Sequence, residues 1–95
     1  MITELRTLIA IARYGTFRAA GDRVGLTQAA VSGHMHRLEE ALGFTLFDRT
    51  GRSATLNAAG LRTLARAEAL ERQSLFVNRV MASRPDKKLK NTAAA

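Results

Sequence analysis

The chain has 95 residues, 46% of them hydrophobic, enough for one small folded unit with a modest core. It contains no cysteine, so disulfides and thiolate metal sites are excluded, and packing or dimerisation must hold the fold together. The net charge of +7 invites a nucleic-acid partner, but residues 1–60 carry only +2 of it, so the placement of particular side chains is more informative than bulk charge.

At the N-terminus, Thr3 and Glu4 suit the start of a first helix, the Thr as N-cap and the carboxylate near the positive end of the helix dipole. Leu5, Leu8, Ile9 and Ala12 then recur at i, i+3, i+4 and i+7, which predicts a core-facing stripe ending near Gly15. Thr16 can cap a second, shorter helix in which Phe17, Ala20 and Val24 share a face. Ala19, Ala20 and Gly21 in this helix are small enough for a neighbouring backbone to come close.

Gly25 and Leu26 form a turn, and Thr27 can cap a third helix running to Leu42. Val31, Met35, Leu38 and Leu42 fall at spacings of four, three and four, so they share one face and should be buried. A second stripe of Ala29, Ser32, Gly33 and His36 lies about 200° away round the helix, with Gln28 just ahead of it. An ordinary solvated face favours long charged residues; this one has little bulk and can lie close against another surface, such as the base edges of a major groove. Two short helices joined by a Gly-containing turn have the outline of a helix-turn-helix. A helical hairpin with no ligand has the same outline.

Gly43 is placed to end the third helix. Phe44, Leu46 and Phe47, a turn containing Gly51, then Ala54, Thr55 and Leu56 read as a β-hairpin, with Arg49 and Arg52 flanking its tip. There they could reach phosphate or a narrow minor groove, or simply be solvated. A hairpin directly after a helix-turn-helix makes a wing. Asn57 is a good N-cap for a long fourth helix from Ala58 to about Arg84, stopping before Pro85. Leu64, Ala67, Leu70, Ser74, Val77 and Met81 make a nearly heptad seam along it, which suggests pairing with a second copy. Three units are expected: a winged helix-turn-helix over 1–57, a linker and dimerisation helix over 58–84, and a flexible tail over 85–95.

With these residues laid out, the chain resembles the N-terminal DNA-binding domain of the LysR-type transcriptional regulators of bacteria, over residue 2 to about 84. The resemblance rests on Phe17 and Ala20, the run Thr27-Gln28-Ala29-Ala30-Val31-Ser32, Leu38-Glu39, Leu42-Gly43, Leu46-Phe47, Arg49, Leu56 and Ala59-Gly60. It implies a mainly α fold, three helices and a β-hairpin wing followed by a long linker helix, that binds double-stranded DNA as a homodimer, with tetramers possible in full-length members. Carried over by position, Thr27, Gln28, Ala29, Ser32, Gly33 and His36 would face bases or nearby phosphates, Arg49 and Arg52 would sit on the wing, and Thr16 and Arg18 would approach the backbone.

The sequence departs from the family pattern at Ala29, where Pro is common, at Gly33, His34 and His36, which often carry Arg, Gln or Lys, and at Asn57, where Thr is usual. Gly33 costs about 0.8 to 1.0 kcal/mol of helix propensity relative to Ala and removes a possible base or phosphate contact. Full members continue into a ligand-binding effector domain that has no counterpart within residues 1–95. The chain therefore reads as an isolated DNA-binding fragment, with a truncated regulator as the alternative.

Other functions have less support. His34 and His36 are two apart and diverge round the helix, as do Glu39 and Glu40, so neither pair suits a metal or acid–base catalysis. There is no Gly-rich phosphate loop, and no enzyme, cofactor, metal or small-molecule effector site is expected. A protein-interaction module acting through the long helix is a competing reading. RNA binding is another, but the deep, narrow major groove of A-form RNA cannot admit a helix, and five aromatics give few stacking surfaces. No apolar run approaches the roughly 20 residues of a membrane span and no secretory signal opens the chain, so a cytoplasmic location is expected.

Overall fold

A computed structural model describes residues 1–48 and 54–83. The element order is α1 (Ile2–Tyr14), α2 (Phe17–Val24), α3 (Gln28–Leu42), β1 (Phe47–Asp48), β2 (Thr55–Leu56) and α4 (Ala58–Ser83). Helix α1 packs against α2, α3 and α4. Being covered from several directions, it buries Leu8, Ile9, Ala10 and Ile11 rather than one stripe, while Ala12, expected in the core, is exposed. Helix α1 also begins earlier than predicted. Met1 stands at the N-cap and its carbonyl accepts from the Leu5 N–H at 3.0 Å, so Thr3 lies inside the first turn and does not cap.

The predicted caps of α2 and α3 are present. The Thr16 hydroxyl accepts from the Ala19 N–H at 2.9 Å, and the Thr27 hydroxyl from the Ala30 N–H at 3.1 Å. Gly25 and Gly43 close the two helices with φ of 78° and 84°, a left-handed conformation that side chains disfavour. Between the helices the chain closes tightly: a Cβ on Gly21 would stand 2.5 Å from the Leu26 carbonyl oxygen and 3.3 Å from Val31. Leu26 thereby turns into the core and Val24 is left outside, contrary to its expected place beside Phe17 and Ala20.

Val31, Met35 and Leu38 of α3 are fully buried, and each contributes about 1.5–3 kcal/mol by leaving water. Leu42, predicted to continue that face, is exposed because α3 has passed the end of α1 by its last turn. The two strands pair antiparallel with Phe47 opposite Leu56 and Asp48 opposite Thr55. Phe44 lies before the hairpin and is exposed, whereas Phe47 is buried with its ring edge-on to Phe17 at 5.2 Å. This is a winged helix-turn-helix followed by a long helix.

Leu46 joins α3, the hairpin and α4. Its side chain is fully buried, its N–H donates to the Glu39 carboxylate at 2.7 Å, and its carbonyl accepts from the Asn57 N–H at 2.9 Å. Asn57 in turn caps α4, its Oδ1 accepting from the Gly60 N–H at 2.7 Å while its Nδ2 donates to the Thr45 carbonyl at 3.0 Å. Gly60 packs so closely that a Cβ there would collide with the Leu46 carbonyl oxygen. Past this junction α4 rests on α1 through the buried Ala67 and the half-buried Leu64, with Glu71 4.0 Å from Arg13. No helix among the described residues is long and apolar enough to cross a membrane.

Two glycine substitutions should have opposite signs. Gly33 lies in α3 with only the Arg37 Nη1 within 4 Å of a Cβ, so Gly33→Ala should stabilise the fold by about 1 kcal/mol through helix propensity. Gly60→Ala should destabilise it by about 1–3 kcal/mol, because the added carbon meets backbone that cannot give way. Urea melts followed by circular dichroism measure both. A Gly60→Ala midpoint at or above the parent's would mean that the junction is looser than its geometry.

Candidate nucleic-acid interface

Burial of Val31, Met35 and Leu38 fixes the rotation of α3 and so turns its opposite side outward. Gln28, Ala29 and His36 are exposed on that side, and Ser32 and Gly33 are half-buried. From Gln28 to His36 this side carries no acidic group and, at Ala29, Ser32 and Gly33, little bulk; the exposed Glu40 continues it one turn beyond His36. Thr27 is exposed at the start of α3, where the first backbone N–H groups and the positive end of the dipole favour an anion. Thr16 and Arg18 are exposed at the corresponding end of α2. Arg49 and Arg52 lie outside the described residues.

The six seam residues of α4 are divided by the fold. Ala67 is 3% exposed and Leu64 half-buried, both packed within the chain. Leu70, Ser74, Val77 and Met81 face outward, joined by Leu75, Phe76 and Val80, which the heptad reading omitted. Between α1 and α4 runs an open groove of about 400 Å³ whose lining includes Ile2, Leu5, Ile9, Leu70, Ser74 and Leu75.

Two polar links between α1 and α3 have no counterpart in the sequence reading. The Thr7 hydroxyl donates to the Thr3 carbonyl at 2.9 Å and lies 2.9 Å from His34 Nδ1. With the hydroxyl proton directed at Thr3, the Thr7 oxygen accepts from Nδ1–H, which assigns the proton to that nitrogen. One turn along each helix, Arg37 Nε donates to Glu4 Oε2 at 3.2 Å. These partners are 27 and 33 residues apart in the chain, so local periodicity cannot pair them. The Arg23 guanidinium is also engaged, lying 4.7 Å from the centre of the Tyr14 ring.

Glu4 titrates well below an ordinary carboxyl, its pKa lowered from 4.5 to about 2. The hydrogen bond to its own backbone contributes most, followed by the Met1 ammonium and Arg37. Since the folded value lies below the ordinary one, the stabilisation is fully present above pH 4.5 and is lost as pH falls toward 2. Glu4→Gln should therefore lose stability less steeply than the parent over that interval in acid titrations followed by circular dichroism. Parallel curves would remove Glu4 from the acid response.

The chain is similar to proteins of known class. The family model described as bacterial regulatory helix-turn-helix protein, lysR family, matches residues 2–61. A probable hydrogen peroxide-inducible genes activator from Streptomyces viridosporus is 42% identical over 69 residues, which cover 73% of this chain and 22% of that protein. An uncharacterized HTH-type transcriptional regulator from Azotobacter vinelandii is 46% identical over 66 residues, 70% of this chain and 46% of its own length. The chain thus spans less than half of either relative. Among solved structures, the CbnR DNA-binding domain in complex with DNA superposes with a TM-score of 0.75 at 32% identity, covering 88% of this chain and 98% of that one. Full-length LysG from Corynebacterium glutamicum gives 0.79 at 25% identity, covering 88% of this chain and 29% of LysG.

Proposed function

Because the chain belongs to the LysR family of bacterial regulatory helix-turn-helix proteins, we propose that two copies of it bind one stretch of double-stranded DNA, each laying α3 in a major groove. The observation that carries this reading is the outward side of α3, capped by Thr27 and held opposite a fully buried face. Gln28 can pair two ways with an adenine edge, Ser32 can donate or accept, and the Ala29 methyl suits the thymine methyl. Gly33 and His36 complete the surface, Gly33 by letting the helix come close and His36 as a hydrogen-bonding ring.

Affinity comes mainly from phosphates. The N-terminus of α2 with Thr16 and Arg18 supplies one set of contacts, and Arg49 and Arg52 supply another, an assignment that rests on the sequence. Pairing through the exposed Leu70, Ser74, Val77 and Met81 of α4 sets two α3 helices on one side of an interrupted palindrome. In a whole regulator, this unit would supply operator binding for activation or repression of transcription in the cytoplasm.

The exposed apolar row of α4 also fits a module that acts by protein contact alone, and two sets of variants separate the readings. Gln28→Ala and Ser32→Ala should each lower affinity for a sequence selected from random duplexes by about 1–3 kcal/mol, with sedimentation unchanged. Full sequence-specific affinity in both variants would contradict the groove assignment. Val77→Asp should shift sedimentation toward the monomer and weaken duplex binding; a profile matching the parent's would take Val77 out of the pairing surface.

A further inference from the structure

We infer that Arg37 is an additional DNA contact of this chain, its guanidinium held by Glu4 so that the outer end of the fork lies beside Gly33 and meets a backbone phosphate at the edge of the groove. The inference deepens the DNA-binding reading above and depends on it. Arg37 is the only arginine or lysine of α3. It stands one turn beyond Gly33 and about 40° further round, on the flank of the outward stripe rather than on the buried face. Its side chain is 58% exposed, while that of its partner Glu4 is 12% exposed, so the carboxylate is tucked in and the cation projects.

The hydrogen bond to Glu4 uses only Nε. The two terminal nitrogens have no partner among the described residues, and such a pair of N–H edges suits two oxygens of a phosphate. Nη1 lies 3.8 Å from where a Gly33 Cβ would be, and nothing else comes within 4 Å of that point. A long side chain at 33 would compete for this space; glycine leaves it to the guanidinium. The tether holds the fork in place before DNA arrives, which reduces the side-chain ordering cost of binding. Glu4 remains ionised far below neutral pH, so the tether persists wherever the domain is folded and bound.

A merely structural strut between α1 and α3 would show the same ion pair, and salt dependence tells them apart. Arg37→Gln keeps a donor for Glu4 and removes the charge; Arg37→Lys keeps the charge and loses the fork. Binding to selected and random duplexes is measured from 50 to 200 mM salt, with melting curves confirming that each variant is folded at the temperature used. For Arg37→Gln, the log–log salt slope should flatten by about 0.9 for each bound copy, with affinity about eightfold weaker per copy at 0.1 M salt on both kinds of duplex. Arg37→Lys should restore the slope. An unchanged slope in folded Arg37→Gln overturns the inference, leaving Arg37 a strut. So does a loss confined to the selected duplex with the slope intact, which would make it a base contact. A parent chain that binds no duplex at all would instead defeat the DNA-binding reading itself.

Discussion

The peptide of Leu46 is where α3, the hairpin and α4 meet. Its N–H satisfies a carboxylate from α3, its carbonyl satisfies the N–H ahead of α4, and its side chain fills the core between them. A buried backbone group left unpaired costs about as much as a lost hydrogen bond, so all three partners are held to this one strand entry. Gly60 lets α4 approach to backbone contact, which a longer residue would prevent.

The two sides of α3 obey different rules. Inward, Val31, Met35 and Leu38 satisfy every packing expectation. Outward, the helix carries a glycine that the fold does not require, unlike Gly21 and Gly60, whose neighbours leave no room for a side chain. A departure from local stability that no packing constraint explains is what a surface shaped for a ligand would contain. The polar links from Thr7 to His34 and from Glu4 to Arg37 then fix the helix along one flank.

Helix α4 changes character along its length. Its first turns belong to the domain, through Gly60, Leu64 and Ala67, and after Glu71 its apolar side chains face outward. Leu75, Phe76, Val77, Val80 and Met81 are all exposed, and the pairing proposed above would cover part of this apolar surface.

The sequence determined whatever depends on residues within one turn of each other. Thr16, Thr27 and Asn57 could be read as caps and Gly43 as a helix end because each acts on its own backbone. The core face of α3 was legible for a related reason, since helical spacing alone puts Val31, Met35 and Leu38 together. Tertiary structure decided the rest. Val24, Leu42 and Ala12 fit the apolar spacing of their helices yet lie outside, because the reach of neighbouring elements sets burial, whereas Ala67 left the supposed seam for the core because α1 lies against it. The ion pair that brings Arg37 beside Gly33 links residues 33 positions apart, and only the packing of α1 on α3 could bring them together.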